Sequence, residues 1–387
     1  MELTELRKEN ELVDLFCSMA EVPSPSLKED KVINWICDYC KKNNLQCELD
    51  DFKNIYITVP ATDTSKQPLL LSSHMDVVGD DSPVVPYLDG DLIKAQGRTL
   101  GADDKAGVAN ALYFANKLNK RTDIKHGGLE VHFTRDEENT MQGIKHTDFS
   151  RIKSKYALVL DSDALGQCLI SGASYVLVDL KVTAPKGGHS GNDIGDSTRA
   201  NASKLLADLV SDMPQGVFYS ENGQVITSCN IGGLKSGDLN ITNVINTFGE
   251  ATYSIRSSNK QKENELIAMM QETADAFNVE YKGIATADIK FTEKMPMFEK
   301  NDDEFMPELF SKVAKNLGIE PEISSFHAGA ETHIYANRTN ANGEKFSPYL
   351  LGLATVCNMH SAREYLDYKT MLKGQELLEN LFIEFNK

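Results

Sequence analysis

Between residues 68 and 135 of the chain, two apolar segments flank a helical one. Residues 68–76 read PLLLSSHMD, residues 102–118 read ADDKAGVANALYFANKL, and residues 127–135 read GGLEVHFTR. The outer segments contain continuous apolar runs typical of buried strands, and the middle one carries apolar residues at helical spacing. Strands that alternate with helices predict an α/β domain with a mostly parallel sheet.

The pattern extends outward from this stretch and then changes. A helix is predicted at residues 31–43 (KVINWICDYCKKN), with Ser26 and Glu29 as a capping box before it. From Tyr175 onward, YVLVDLKVTA alternates apolar and polar residues, as a half-buried antiparallel strand does. The α/β pattern returns after Pro296. We therefore expect one α/β domain formed by residues 1–174 and 294–387, with an α+β domain of residues 175–293 inserted into it.

Composition excludes several classes of partner. The 387 residues include 57 acidic and 40 basic ones, which gives a formal net charge of −17. Binding to nucleic acid or to anionic lipid needs clustered Lys and Arg, which this balance disfavours. No apolar run approaches the roughly 20 residues of a membrane span. The first residues, MELTELRKEN, lack the apolar core of a secretory signal. These features predict a soluble, cytoplasmic protein with no nucleic-acid or membrane partner.

Acidic residues and histidines gather where the apolar strands end. Ligands of open α/β sheets bind beyond the carboxyl ends of the strands, so these side chains are expected to share one crevice. An H-x-D, DD or EE pair alone is typical of a solvated turn, and only their joint placement indicates a site. The residues are His74, Asp76, Asp103, Asp104, Glu137, Glu138, Asp161 and His360.

This set of side chains predicts a metal centre. Carboxylates and imidazoles without thiolates suit Zn²⁺, Mn²⁺ or Co²⁺. A carboxylate between two such ions can bridge them, and a water held between the ions has a lowered pKa. Asp76 can accept the second ring N–H of His74 and fix its tautomer. The adjacent Glu137 and Glu138 can divide the roles of general base and metal ligand.

These residues resemble the M20 family of dinuclear metallopeptidases. The resemblance rests on SSHMDVV (72–78), TLGADDKAG (99–107), TRDEE (134–138), VLDSD (159–163) and NMHSAREY (358–365). It implies a zinc-exopeptidase-like catalytic domain with two divalent ions per subunit, zinc first and cobalt or manganese as alternatives. It implies the following roles: His74 and Asp161 for one ion, Glu138 and His360 for the other, Asp103 as the bridge, Asp76 as the residue that orients His74, and Glu137 as general base.

The inserted domain resembles the dimerisation or lid domain of the same family. The matching stretches within it are GGHSG (187–191), ITNVI (241–245) and SIRS (254–257). Outside the inserted domain, HAGAET (327–332) resembles the substrate-side loop of the family. The resemblance implies a homodimer in which His189 reaches the partner subunit's active site. It also implies four substrate-binding residues: Asn243, Arg256 for a terminal carboxylate, Gly329 and Glu331.

The branch of the family decides the substrate. TLGADDKAG and VLDSD resemble peptidase T and its tripeptidase relatives, and so does the chain length. GGHSGNDIG and FHAGAE resemble the aminoacyl-histidine dipeptidases. We therefore predict a metal-dependent aminopeptidase that releases the N-terminal residue of tripeptides. The alternatives are a dipeptidase of the Xaa-His type, a deacylase of N-acyl amino acids or peptides and, in a different class, a non-catalytic metal-binding module.

Overall fold

The computed structural model describes residues 2–387. None of the helices that these residues form combines the length and apolar character needed to cross a membrane. In chain order the helices are α1 (Leu3–Glu9), α2 (Glu11–Ala20), α3 (Asp30–Lys42), α4 (Ala102–Asn119), α5 (Glu137–Thr140), α6 (Gln142–Lys145), α7 (Ala202–Asp212), α8 (Lys260–Glu280), α9 (Phe305–Asn316), α10 (Thr332–Ala336) and α11 (Tyr368–Phe385), with a short 3₁₀ helix at Phe149–Arg151.

The strands belong to four sheets. In chain order they are β1 (Gln46–Leu49), β2 (Ile55–Val59), β3 (Leu69–His74), β4 (Pro86–Asp89), β5 (Leu92–Ala95), β6 (Leu129–Thr134), β7 (Tyr156–Val159), β8 (Gln167–Gly172), β9 (Tyr175–Thr183), β10 (Gly188–His189), β11 (Gly216–Glu221), β12 (Gln224–Ser236), β13 (Val244–Ile245), β14 (Phe248–Ser257), β15 (Thr286–Met295), β16 (Glu322–Phe326), β17 (Ser347–Leu351), β18 (Thr355–Cys357) and β19 (Tyr365–Asp367).

The largest sheet has eight strands in the order β1-β2-β6-β3-β7-β17-β8-β16. Its central strands β6, β3, β7 and β17 run parallel, and antiparallel pairs join β1 to β2, β2 to β6, and β17 to β8. All six residues of β3 are buried, as expected for a strand covered on both faces. Helix α4 packs on β3 and also contacts α2 and α11. The predicted α/β fold with a mostly parallel sheet is therefore confirmed.

A four-stranded antiparallel sheet, in the order β18-β19-β5-β4, was not predicted. Its strands have three or four residues each, which is too short for a periodic pattern to show. β19 pairs with β5 although about 270 residues separate them in the chain. Long-range pairing of this kind leaves no local signal in the sequence.

The antiparallel part of the chain forms a sheet of its own. Its five strands lie in the order β11-β12-β14-β9-β15, all antiparallel. Alternate residues of β9 are buried, and they form a core with apolar residues of α7 and α8. The predicted half-buried antiparallel strand at Tyr175 is thus confirmed, and so is the α+β character of this region.

The chain divides into two compact units. Unit 1 comprises residues 1–171, 300–324 and 330–387, and unit 2 comprises residues 172–299 and 325–329. Unit 2 is thus contributed by two separate segments, whereas the sequence-based division used one insertion of residues 175–293. The assignment of that insertion as a dimerisation or lid domain stays a prediction.

The predicted capping box at the start of α3 is wrong. Helix α3 begins at Asp30, and its N-cap residue Glu29 makes no side-chain capping bond. The Ser26 hydroxyl donates instead to Asp76, and the Glu29 carboxylate accepts from Arg135. The S-x-x-E spacing of a capping box is present, but the side chains that bond to Ser26 and Glu29, those of Asp76 and Arg135, lie far away in the chain.

Gly374 in α11 provides a test of the packing in unit 1. A Cβ atom at this position would lie 1.7 Å from the backbone oxygen of Leu353. Helix propensity alone predicts that Gly374→Ala stabilises the protein by about 1 kcal/mol. We expect the overlap to outweigh this gain and to lower the free energy of unfolding by about 1–3 kcal/mol. Urea denaturation measures the change.

The control for this substitution is Glu376→Ala, at an exposed position of the same helix. It should change the free energy of unfolding by less than about 0.5 kcal/mol. A Gly374→Ala protein as stable as the wild type would show that α11 can move away from Leu353 at little cost.

Candidate metal centre

Three adjacent parallel strands carry the predicted residues to one edge of the large sheet. β6, β3 and β7 are neighbours, and their carboxyl ends therefore point the same way. His74 is the last residue of β3, Glu137 and Glu138 follow β6, and Asp161 follows β7. This edge is where α/β sheets bind their ligands.

Asp103 lies between two histidines. Its Oδ1 atom is 3.3 Å from Nε2 of His74, and its Oδ2 atom is 3.2 Å from Nε2 of His360. The peptide bond between Asp103 and Asp104 is cis, and both residues have non-helical backbone angles within α4. Each carboxylate oxygen of Asp103 thus faces a different imidazole, which is the arrangement a bridging ligand needs.

Each histidine also faces a second carboxylate. His74 Nε2 is 3.5 Å from Asp161 Oδ1, and His360 Nε2 is 3.0 Å from Glu138 Oε2. Ligand atoms of His74, Asp103 and Glu138 all lie within 4.8 Å of one another. The described residues therefore offer two neighbouring donor sets that share Asp103.

Asp104 also approaches this centre, although the sequence assigned it no role. Its carboxylate forms a second group with His74 and Asp161 in which the ligand atoms lie within 4.8 Å. One Asp104 oxygen accepts from the Gly107 backbone N–H at 3.1 Å, and the other is buried without a hydrogen-bond partner. A Cβ atom at position 107 would lie 2.4 Å from an Asp104 carboxylate oxygen and 2.6 Å from the Ser73 hydroxyl, so a larger residue would displace these side chains.

Asp76 supports the centre through its backbone as well as its side chain. The Nδ1 atom of His74 is 3.0 Å from the backbone oxygen of Asp76 and 3.4 Å from its carboxylate. An N–H at Nδ1 that donates to this oxygen leaves Nε2 with a free lone pair for a metal. The Asp76 carboxylate accepts from the backbone N–H groups of Glu137 at 2.9 Å and Glu138 at 3.2 Å. Asp76 therefore holds both His74 and the acidic pair.

Glu29 is a supporting residue whose role the sequence did not reveal. One oxygen of this fully buried carboxylate accepts from Arg135 at 2.8 and 2.6 Å. The other accepts from the backbone N–H groups of Asp136 at 3.0 Å and Leu27 at 2.8 Å. Glu29 thus fixes the turn that leads to Glu137. The S-x-x-E spacing was the only signal, and it was assigned to a helix cap.

Glu364 is the second such residue. Its carboxylate accepts hydrogen bonds from backbone N–H groups of Gly101 at 2.8 Å, Ala102 at 2.7 Å and Asp103 at 3.2 Å, and from the Thr99 hydroxyl. The residue is 1% exposed. An acid four positions after His360 was the available signal, but its partners are backbone amides that no sequence pattern marks.

Comparison with known proteins identifies the family. The model of peptidase family M20/M25/M40 matches residues 70–384. The chain belongs to this family. The predicted M20 metallopeptidase is thereby confirmed, and with it an enzyme of the hydrolase class that acts as an exopeptidase.

Individual relatives of this M20 peptidase span it to different extents. It is 30% identical to the cytosol non-specific dipeptidase of Escherichia coli K12 over 225 residues, which are 50% of this chain and 45% of the relative. The chain thus matches about half the length of that dipeptidase. It is 26% identical to peptidase T of Listeria monocytogenes serotype 4b over 393 aligned residues, which cover 97% of this chain and 87% of the relative.

A solved structure shows the same fold over nearly the whole chain. Aminopeptidase PepT from Bacillus cereus superimposes with a TM-score of 0.84 at 24% identity, covering 97% of this chain and 98% of that one. At this identity the likeness demonstrates the fold of the M20 peptidase and no more.

The donor atoms of this M20 peptidase fit divalent metal ions. They are imidazole nitrogens and carboxylate oxygens, a combination that Zn²⁺, Co²⁺ and Mn²⁺ accept. The Oε1 atom of Glu138 is buried and has no hydrogen-bond partner, so one of its oxygens still lacks a positive neighbour. Like-charged carboxylates this close repel one another unless a cation lies between them.

Burial and crowding shift the pKa values of the acids in this centre. Burial raises the pKa of Glu138 to about 7 and that of Asp161 to about 6. Burial also raises the pKa of Glu137 well above its ordinary value, and the charges of Asp161, Glu331 and Glu138 add to the effect. The hydrogen bond with Asp103, together with the nearby Glu138 charge, raises the pKa of His360 to about 9.

The substrate-binding residues proposed in unit 2 lie on its strands and loops. His189 in β10 is exposed, and it pairs with Val244 of β13, the residue after Asn243. Its Nδ1 atom accepts from backbone N–H groups of the following turn at 3.1 and 3.3 Å, which leaves Nε2 available. The guanidinium of Arg256 in β14 lies 4.5 Å from the centre of the Tyr175 ring.

Two further predicted residues come from the HAGAET stretch. Gly329 belongs to the short segment of unit 2 formed by residues 325–329 and is partly exposed. Glu331 belongs to unit 1 and is 1% exposed. Burial raises its pKa to about 8, and the charges of Asp161 and Asp76 contribute. Glu331 is thus an internal acid near the metal centre, and its role in substrate binding stays a prediction.

Ionisation of Glu331 should make the metal-free protein less stable to unfolding as the pH rises. Its pKa in the folded chain, about 8, lies above the ordinary value of 4.5. The folded state therefore favours the protonated acid, so this stabilisation is complete below about pH 4.5 and lost as the pH rises through 8. We expect Glu331→Gln to become more stable than the wild type as the pH rises from 5 to 9, by about 5 kcal/mol at most.

Thermal unfolding in EDTA across this pH range measures the difference between the two proteins. Glu308→Gln, at an exposed position of α9, serves as the control and should follow the wild type at every pH. Parallel curves for wild type and Glu331→Gln would show that Glu331 is ionised at little cost in the folded chain.

Proposed function

We propose that the chain is a dinuclear metal-dependent aminopeptidase that removes the N-terminal residue of short peptides, with tripeptides as its main substrates. The observation that carries the proposal is the position of Asp103, whose two carboxylate oxygens face His74 and His360. Membership of peptidase family M20/M25/M40 supports it. A relative that aligns with 97% of the chain is a peptidase T, which favours the tripeptidase branch.

The proposed ligands form two sets with one shared member. His74 and Asp161 would hold one ion, His360 and Glu138 the other, and Asp103 both. Zinc is the proposed ion, with cobalt or manganese as alternatives, because all three accept this set of donors. Two bound cations would polarise the scissile carbonyl and lower the pKa of water at the site. Asp76 would keep His74 in the ligating tautomer.

Glu137 is the proposed general base. Its backbone N–H is anchored on Asp76 at 2.9 Å, which fixes where the side chain begins. It would take a proton from the attacking water and then donate this proton to the leaving amine. A raised pKa suits the second step, because the carboxyl group then keeps its proton near neutral pH until it donates the proton to the amine.

Most of the groups proposed to bind the substrate belong to unit 2, and Glu331 belongs to unit 1. The free Nε2 atom of His189 would donate to the developing oxyanion in the partner subunit's site. Arg256 has the fork geometry that binds a terminal carboxylate. Asn243, Gly329 and Glu331 complete the proposed substrate residues.

A homodimer is proposed because unit 2 exposes apolar side chains over a short stretch. Between residues 234 and 248, the exposed fraction is 52% for Leu234, 100% for Leu239, 50% for Ile241 and 45% for Phe248. Exposed apolar groups that lie near one another in this way are typical of surfaces that bind another protein. A cytoplasmic location is proposed as well, consistent with the net charge of −17.

The alternative substrates remain within the same chemistry. A dipeptidase activity, including the Xaa-His type, is favoured by the identity of 30% with a non-specific dipeptidase. A deacylase of N-acyl amino acids or peptides would use the same metal centre. A non-catalytic metal-binding module is not proposed, because the chain belongs to a peptidase family and carries both Glu137 and Glu138.

Hydrolysis of four substrates by metal-replete protein tests the proposal. The substrates are tri-alanine, its N-acetylated form, di-alanine and Ala-His, each run beside an EDTA-treated control. We expect cleavage of the free tripeptide and none of the acetylated one. A preference for the dipeptides would make the protein a dipeptidase, and cleavage of the acetylated peptide alone would make it a deacylase. No hydrolysis of any of the four would contradict the proposal.

The two adjacent glutamates should differ when each is replaced. We expect Glu137→Gln to keep the wild-type metal content and to lower kcat about 10²–10⁴-fold, because only the base is lost. Glu138→Gln, the matched control, should lose metal. Metal content by mass spectrometry and kcat on tri-alanine separate the two outcomes. Loss of metal from Glu137→Gln would instead make Glu137 a ligand.

A further inference from the structure

We propose that Glu364 is a positioning residue that holds the shared carboxylate Asp103 and the His360 loop in one geometry, so that binding of the second metal ion depends on it. The inference rests on the proposed dinuclear function. It adds a role that neither the family match nor the ligand set assigns to this residue.

Four hydrogen bonds converge on the Glu364 carboxylate. Three consecutive backbone N–H groups, those of Gly101, Ala102 and Asp103, point at its two oxygens at 2.7–3.2 Å. The Thr99 hydroxyl donates to one of the same oxygens. Hydrogen bonds to an ionised acceptor are roughly twice as strong as neutral ones, and with 1% exposure water does not compete for them.

These bonds hold the backbone of the loop that leads to Asp103. Gly101 has a φ of +75°, a left-handed conformation that favours glycine. A Cβ atom at this position would lie 2.7 Å from the Val77 side chain, just beyond β3. The loop therefore lies close to Val77, in the segment that follows β3, and is hydrogen-bonded to Glu364. Asp103 follows directly, and its side chain can reach both histidines only while this loop keeps its shape.

Glu364 is connected to His360 through a shared turn of the backbone. Both belong to the tight turn of residues 358–364, in which the Glu364 N–H donates to the Ser361 oxygen at 3.1 Å and the Ser361 hydroxyl donates to the Asn358 oxygen at 2.6 Å. His360 itself has a φ of +59°. The carboxylate of Glu364 thus ties the turn that carries one histidine to the loop that carries the bridging acid.

The two histidines differ in how firmly they are held. The side chain of His74 is 1% exposed and is oriented by the Asp76 backbone oxygen. The side chain of His360 is 53% exposed, and its polar partners in the structure are Asp103 and Glu138, both proposed ligands. Because burial does not fix His360, we attribute the position of its turn to the hydrogen bonds of the Glu364 carboxylate together with those within the turn. Loss of these bonds should therefore affect the second ion more than the first.

The test is the substitution Glu364→Gln, which keeps the side-chain volume but presents an NH₂ group to backbone donors. Metal-free protein is titrated with Co²⁺, followed by calorimetry and by the visible absorption of bound Co²⁺. We expect two tight sites in the wild type and one in the variant, with at least a tenfold loss of affinity for the second ion. Glu263→Gln is the matched control, since Glu263 is also 1% exposed and bonded to Ser174 and Lys260 within unit 2. It should bind two ions.

Thermal unfolding of the metal-free proteins separates positioning from a merely structural role. A structural role would lower the unfolding temperature of Glu364→Gln and leave two Co²⁺ sites of unchanged affinity, which would overturn the inference. Should Glu364→Gln not fold, Thr99→Val removes one of the four hydrogen bonds and should weaken the second ion several-fold, and unchanged binding would again overturn it. A wild-type protein that binds fewer than two ions would contradict the proposed dinuclear function itself.

Discussion

Repulsion between closely spaced carboxylates sets the physical requirement that the metal centre has to meet. The parallel strands deliver Asp161 and Glu138 to the same edge of the sheet, and α4 adds Asp103 beside them. Such a cluster is stable only if positive groups compensate it. The fold supplies two imidazoles and leaves one buried Glu138 oxygen without a partner. The protein atoms alone therefore leave negative charge uncompensated at the centre, as a site for divalent cations requires.

A second group of acids surrounds the first and has the opposite property. Asp76, Glu29 and Glu364 are buried, and their oxygens accept hydrogen bonds from backbone N–H groups, Arg135 or hydroxyls. These acids do not need a cation, because their partners already satisfy them. Each of them also bonds a loop that carries a proposed ligand or base. The fold thus separates acids that hold the loops from acids whose lone pairs remain for a metal.

This difference between the two groups of acids explains which parts of the site could be predicted from the sequence. His74 and Asp161 could be predicted because strand ends are visible as the limits of apolar runs, and the topology of parallel strands then places them together. Asp103 could be predicted because its acidic pair lies in a Gly-flanked turn at the start of a helix. The roles of Glu29 and Glu364 could not, since their partners are backbone amides 107 and about 260 positions away. The S-x-x-E spacing even favoured a helix cap, a local interaction, over the distant one that the structure has. Likewise, nothing in the sequence distinguishes the buried Glu331 from an acid on the pocket surface.

The arrangement of the loops also explains why the metal centre is asymmetric. His74 ends a fully buried strand, so its position is set by the sheet itself. His360 lies in a turn just before the short strand β19 and is half exposed. A ligand on a rigid strand is already in place before a metal binds, whereas a ligand on an exposed turn must be ordered at the cost of conformational entropy. The hydrogen bonds of Glu364 reduce this cost, because they fix the turn to the loop of Asp103. Glu364 is therefore an additional buried acid on the His360 side of the centre, which the sheet supports least.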